Sequence, residues 1–187
     1  MMVKRGFTLI ELLIVITLLG ILAVAVLSAI NPIEQINRSR DTSSRSDAEQ
    51  LINAVERFYA SKGFFPWRVT ETVEPGETIG VDWTVVNNED FLDTEGTAVV
   101  QKLSSDATAE LKESFINRIS AARANSLYIF NRGQQGDSTY VCFRPRSASF
   151  LDDATNRCDE GGDYGSLPDD YPPEACAGGD EIYNCLP

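Results

Sequence analysis

From Phe7 to Ile30 the chain reads FTLIELLIVITLLGILAVAVLSAI, an apolar run whose one charged residue is Glu11. A run of that length predicts a helix able to cross a bilayer. Pro32 withdraws a helical donor and disfavours helix at Asn31, so the pattern predicts a kink, a short break or the plain end of the membrane helix there. Ile33 and Ile36 lead into NRSRDTSSRSD, a stretch of Ser, Arg and Asp that reads as a solvated or intersubunit face. A helical period returns at Asp47, with Ala48, Leu51, Ile52, Val55, Phe58 and Tyr59 on one face and Glu49, Asn53, Glu56 and Arg57 elsewhere. Gly63 is placed to cap this helix and Phe64-Phe65-Pro66 to end it. Read as continuous, the helix from Phe7 to Lys62 spans roughly 80 Å at about 1.5 Å per residue.

Beyond it the period changes. Residues 68–100 carry strand-like runs, VTETV and VDWTVV, broken by Pro75-Gly76, Gly80, Asn87-Asn88 and Gly96, which predicts a long irregular connection with short strands. Residues 104–124 open on capping residues and space Leu111, Phe115 and Ile119 four apart, beside Ile116 and Ala122, which predicts a second, shorter amphipathic helix. SLYIFNR and STYVCFRP alternate around Gly133 and Gly136 and predict a β-hairpin. The stripe at 48–59 is the natural cover for its sheet. From Leu151 onward Asp, Gly, Pro and Tyr dominate without a period, which predicts loop. The expected fold class is α+β: a long N-terminal α-helix packed on a small antiparallel β-sheet, with a disulfide-stapled C-terminal loop region.

The chain has 187 residues, enough for one modest domain beyond the apolar segment. With 16 Lys+Arg against 28 Asp+Glu its net charge is -12, so its average surface repels phosphate and disfavours general nucleic-acid binding. Arg144 and Arg146 beside Tyr140 and Phe143 read as surface ion-pair residues rather than a nucleic-acid face. Histidine is absent, which excludes Ser-His-Asp, Cys-His and His-based zinc chemistry. The remaining carboxylates and serines form no recognisable nucleophile-base arrangement, so the expectation is a protein that is not an enzyme.

Cys142, Cys158, Cys176 and Cys185 are even in number and lie beyond the apolar helix, which suits two disulfides in an oxidising exterior. The absence of a CxxC pair removes support for a zinc ribbon or thioredoxin-like motif. Three connectivities are open, and loop-closure reasoning favours Cys142 with Cys158 and Cys176 with Cys185. Asp152, Asp153, Asp159, Glu160 and Asp163, with Asp169 and Asp170 further on, offer hard oxygen ligands without EF-hand spacing. A solvated acidic loop is the favoured reading, no cofactor is expected, and Ca²⁺ is a side candidate.

Glu11 sets the sharper question, because a carboxylate at hydrocarbon depth costs about 2.5–3.5 kcal/mol on insertion scales. A secretory signal peptide is the plain alternative, since Ala23-Val24-Ala25 offers a small-x-small site. The apolar run continues past that site, however, and a Glu in the first turn is foreign to such a segment. A cut after Gly6 makes Phe7 the first residue and places Glu11 one turn from a new ammonium, at the positive end of the helix dipole. A carboxylate and an ammonium about 4 Å apart attract by roughly 4 kcal/mol at an effective dielectric of about 20, enough to offset the insertion cost. The amine of a neighbouring chain serves as well as its own, and would set the axial register of packed helices.

GFTLIELLIVITLLGILA at residues 6–23 resembles the N-terminal signature of type IV pilins and type II secretion pseudopilins, and ERFYASKGFFPW at 56–67 more loosely resembles the end of the long helix in major pseudopilins and related pilins. The resemblance implies cleavage after Gly6 by a dedicated prepilin peptidase, N-methylation of Phe7, and pairing of Glu11 with the Phe7 amine of an adjacent subunit. It also implies a homo-oligomeric helical filament, an inner-membrane assembly machinery, and membrane lipid around the helix before assembly. Some major pseudopilins hold Ca²⁺ in a C-terminal loop. The chain then divides into a leader at 1–6, a transmembrane or filament-core helix at 7–30, its amphipathic continuation at 31–63 and a globular head at 64–187. The expected location is the cytoplasmic membrane in a single pass with the head outside, and later a surface or periplasmic filament. The competing class is a membrane-anchored exported protein that never polymerises and carries a ligand-binding domain.

Overall fold

A computed structural model describes residues 6–29, 31–72, 79–105, 109–121, 126–134, 136–159, 167–177 and 181–187. The chain divides into two units, Met1–Ile36 and Asn37–Pro187. In the first, helix α1 (Leu9–Ala29) exposes its large apolar side chains on every face. Helix α2 (Pro32–Lys62) begins in the same unit and runs into the second.

A single helix from Phe7 to Lys62 is not what forms. Asn31 is non-helical and caps α2: its Oδ1 accepts from the Glu34 N–H at 3.3 Å, and its carbonyl accepts from Gln35. Pro32 at the first helical position lacks only an N–H that the helix start leaves unused. The Asn-Pro pair is therefore a helix start.

Along α2 the buried positions are Asp41, Ser44, Ala48, Leu51, Ile52, Ala54, Val55 and Phe58, the three-and-four spacing of one helix face. The stripe begins a full turn and more before Asp47. It reaches into the polar segment read as solvated, where Asp41 is only 1% exposed. The reason lies in helix α5 (Ala148–Cys158), whose first N–H groups need acceptors. Both oxygens of Asp41 accept from the Arg146 N–H, at 3.1 and 3.0 Å, and Oδ2 also accepts from the Ser147 N–H at 2.7 Å and the Ser147 hydroxyl at 2.6 Å. Ser147, the N-cap by position, makes no side-chain cap of its own. A carboxylate from another helix does that work, favoured by the helix dipole. α5 also corrects the expectation of plain loop from Leu151 onward.

Gly63 ends α2 as expected, with φ +82° and its N–H on the Tyr59 carbonyl at 2.8 Å. The helix expected over 104–124 is instead two: α3 (Val99–Ser105) and α4 (Glu113–Ala121). Residues 106–108 and 122–125 lie outside the described residues. Leu111, Phe115, Ile116 and Ile119 are buried, and the Leu111 N–H bonds the Leu103 carbonyl at 3.0 Å, tying the two helices.

The sheet is antiparallel in the order β1 (Val81–Val85), β2 (Leu127–Asn131), β3 (Tyr140–Phe143), β4 (Asn184–Leu186). Residues 69–72 of the VTETV run form no strand, and Val73 lies outside the described residues. The expected hairpin is β2–β3. Its turn is organised by buried Asn131, which donates to the Ser138 carbonyl and Thr139 hydroxyl and accepts from the Gly133 N–H at 2.8 Å. Alternate residues serve two clusters. Leu127, Ile129, Val141 and Phe143 join the α2 stripe, while Tyr128, Phe130, Tyr140 and Cys142 form a second cluster with Trp83, Tyr183 and Cys185. A bulge between Val81 and Thr84 lets Val81 join the first cluster and Trp83 the second.

The disulfides are Cys142–Cys185 and Cys158–Cys176, which corrects the nearest-neighbour expectation. Cys142 lies directly opposite Cys185 in the β3–β4 register, with Cα atoms 4.0 Å apart. Strand pairing had already closed that loop, so sequence separation no longer ranks the partners. Cys158 ends α5 and Cys176 ends a short 3₁₀ turn, Pro173–Cys176.

Two outcomes follow for the folded chain. Asp41→Ala should lower unfolding free energy by about 2–4 kcal/mol, because it orphans buried N–H groups at a helix start; denaturant titration reads it, and a loss within error refutes the capping role. Peptide mapping of the oxidised protein should recover Cys142 linked to Cys185, and Cys142→Ala with Cys185→Ala should cost about 2–4 kcal/mol.

Candidate functional site: the start of the apolar helix

Gly6, Phe7 and Thr8 precede α1 in non-helical conformation and are exposed, with Phe7 89% accessible. A peptidase needs such a substrate, since a helical peptide bond is shielded by its own turn. A Cβ built on Gly6 meets nothing within 4 Å. No packing in the described chain calls for glycine at that position, so any requirement for it comes from outside the chain.

Thr8 and Glu11 form a reciprocal cap. The Glu11 N–H donates to Thr8 Oγ1 at 3.3 Å, while Glu11 Oε2 accepts from the Thr8 N–H at 2.9 Å and the Thr8 hydroxyl at 2.8 Å. This is the capping box, Thr-x-x-Glu, whose local sequence signal is Thr8-Leu9-Ile10-Glu11 and which the charge of Glu11 by itself does not reveal. The carboxylate has hydrogen-bond partners in its own chain, and among the described residues no positive charge pairs with it.

The rest of α1 presents no unpaired hydroxyl. Thr17 donates back to the Ile14 carbonyl at 2.8 Å and Ser28 to the Ala25 carbonyl at 2.9 Å, as a helix in hydrocarbon requires. Leu9–Ser28 is long and apolar enough to cross a membrane, and none of it is buried within the chain. Ala23-Val24-Ala25, the alternative cleavage site, lies inside the helix.

The other candidates are dispersed. Asp153 pairs with Arg157 at 3.6 Å and accepts from Asn184 at 2.9 Å, while Asp170 accepts from the Ser138 N–H at 2.7 Å and the Tyr140 hydroxyl at 3.1 Å. Asp152 and Asp159 are exposed, and Glu160 and Asp163 lie outside the described residues. Among the described residues no three acidic or cysteine side chains converge as a metal site. Of the acidic side chains that can be placed, Asp153 and Asp170 serve as structural acceptors. Burial, and then its bond to Asp170, pushes the Tyr140 hydroxyl up to about 12; burial, and then its bond to Tyr128, does the same for Tyr183.

Residues 1–27 match the family model of the prokaryotic N-terminal methylation motif, the prepilin signature. No curated protein and no solved structure matches the chain.

Because folding raises both tyrosine pKa values above the ordinary value of about 10, their contribution to stability is complete below that pH and is lost as pH rises from about 10 to about 12. Tyrosinate absorbance should show Tyr140 and Tyr183 titrating late, joined by Tyr171, which burial also pushes up, together with alkaline unfolding of the head. Titration of all tyrosines near 10 in the folded chain would contradict the burial of Tyr140 and Tyr183.

Proposed function

We propose that the chain is a prepilin: a structural, non-enzymatic subunit that a prepilin peptidase cuts after Gly6, that is methylated on Phe7, and that polymerises through α1 into a type IV pilus or pseudopilus filament. The observation that carries this reading is the match of residues 1–27 to the methylation motif, joined to a helix that exposes every large apolar side chain it has. A helix of this kind needs lipid or sibling helices around it. Storage in the cytoplasmic membrane and packing in a filament core are the two surroundings that fit, with an inner-membrane machinery moving subunits from one to the other.

Glu11 has a role in both. In lipid the Thr8 cap satisfies its hydrogen bonds. In the filament the Phe7 ammonium of a neighbour supplies the missing charge, an attraction of roughly 4 kcal/mol at about 4 Å and an effective dielectric of about 20. The intrachain cap also favours a second reading, since a carboxylate satisfied by Thr8 can reside in an anchor that never polymerises. Export with a disulfide-bonded head is common to both readings, and adhesion, motility, DNA uptake and secretion are all uses such a filament supports.

Mass spectrometry of the mature protein should find an N-methylated Phe7 at its start; an N-terminus at Val26, or an uncut Met1, would sink the prepilin reading. Glu11→Ala should leave membrane insertion intact while reducing assembled filament more than about ten-fold. Filament yield equal to that of the parent chain would return Glu11 to a purely capping role.

A further inference from the structure

The turn that follows β1 and the last residues of α4 border a cleft of about 240 Å³ that lies wholly within the unit Asn37–Pro187. Val85, Val86 and Ile119 give it an apolar wall, and Val86 and Ile119 are buried core residues. Asn88 and Ser120 also line it. Asn88 Oδ1 and Ser120 Oγ are buried from solvent, yet neither has a hydrogen-bond partner among the described residues. Glu89, exposed, adds a carboxylate to the lining.

A buried polar atom left unpaired carries its full desolvation penalty, and folded chains keep few of them. Two in one cleft mark a place that an outside group completes. The turn that carries Asn88 is held by its neighbour: Asn87 Oδ1 accepts from the Glu89 N–H at 2.8 Å and the Asp90 N–H at 2.6 Å, and Asn87 Nδ2 donates to Asp90 at 2.6 Å. One water does not fill the cleft, since its share of liquid volume is about 30 Å³. The chemistry of the lining selects the occupant. Asn88 Oδ1 and the Glu89 carboxylate only accept, and Ser120 Oγ accepts as well as donates. A group that satisfies all three brings several donors and, opposite Glu89, a positive charge. An alkylammonium has three donors on one compact cationic atom and a carbon chain to lie along Val85, Val86 and Ile119. An anion would face Glu89 and an acceptor oxygen.

We infer that the cleft lined by Asn88, Glu89 and Ser120 binds a primary alkylammonium group, either of a free amine or of a lysine side chain on a partner protein. The ammonium donates to Asn88 Oδ1 and Ser120 Oγ and pairs with Glu89, while its carbon chain covers the valine and isoleucine wall. The net charge of -12 draws cations toward the surface as a whole. The hydrogen bonds, which a quaternary ammonium cannot make, are what set this cleft apart from that general attraction.

The test uses the full chain in detergent micelles, with n-butylammonium as the probe and the side-chain amide of Asn88 and the backbone amide of Ser120 read by nitrogen–proton NMR. Both signals should shift saturably, and Ser120→Ala and Asn88→Leu should each weaken binding about ten-fold or more. Thermal melting of Ser120→Ala without amine should be unchanged or raised, because the variant deletes an unpaired hydroxyl; a lowered melting temperature overturns the inference by showing that the hydroxyl is paired. n-Butyltrimethylammonium, with the same charge and chain but no donor, should bind far more weakly. Equal shifts from it leave only attraction to an acidic surface and overturn the inference. So does the absence of any saturable shift, which makes the cleft a water site, or displacement of the amine by Ca²⁺ with the same signals, which makes it a metal site. Tighter binding of putrescine than of N-acetyl-lysine amide supports the site as one for a free amine, and the reverse order supports it as one for a partner's lysine.

Discussion

The buried face of α2 is the constraint on which the head depends. From Ala48 to Phe58 its small and large apolar residues are fully or almost fully inside. The sheet, α3 and α4 all contribute side chains to the cluster this stripe anchors. Remove it and the core-facing side of a short four-stranded sheet loses the buried helix face it shares with α3 and α4. The salt bridges of Arg118 with Asp47 and of Arg57 with Glu110 lie at the margins of this contact, where exposed pairs contribute about 0–1 kcal/mol each. Packing holds the helix, and the ion pairs trim its edges.

Asp41 extends the same face into chemistry of another kind. About two turns before the apolar stripe, its carboxylate closes the start of α5, and α5 carries Cys158 at its end. The C-terminal segment is thus gripped at several points: by Asp41, by Cys158–Cys176, by Cys142–Cys185, and by Arg157 donating to the Cys185 carbonyl at 2.9 Å. A three-residue edge strand such as β4 would be marginal by itself. The disulfide to its neighbour and the bonds from α5 make it part of the sheet.

α1 obeys the opposite logic. Nothing described in the chain covers it, and its hydroxyls and its first-turn carboxylate are satisfied locally by Ile14, Ala25 and Thr8. A helix that has settled its own hydrogen bonds and left its apolar surface open is prepared for an apolar medium. Among the described residues the charge of Glu11 has no ion-pair partner, which is where a neighbouring amine acts in the proposed filament.

What the sequence determined by itself is whatever depends on neighbours in the chain. The apolar run, the stripe from Ala48 to Phe58, the Gly63 cap and the β2–β3 hairpin are each written in local period and turn chemistry. So is the Thr8–Glu11 capping box, a Thr-x-x-Glu pattern at the helix start. Tertiary structure decided what depends on distant partners. Asp41 belongs to a polar, Ser-rich stretch, and only the arrival of residues 146–147, more than a hundred positions away, makes its burial favourable. The Cys142–Cys185 pair followed strand register, because β3 and β4 bring the two residues opposite each other whatever their separation along the chain. The break at Asn31 lies between these cases: proline foretold an interruption, and the cap on Glu34 made it the start of a second helix.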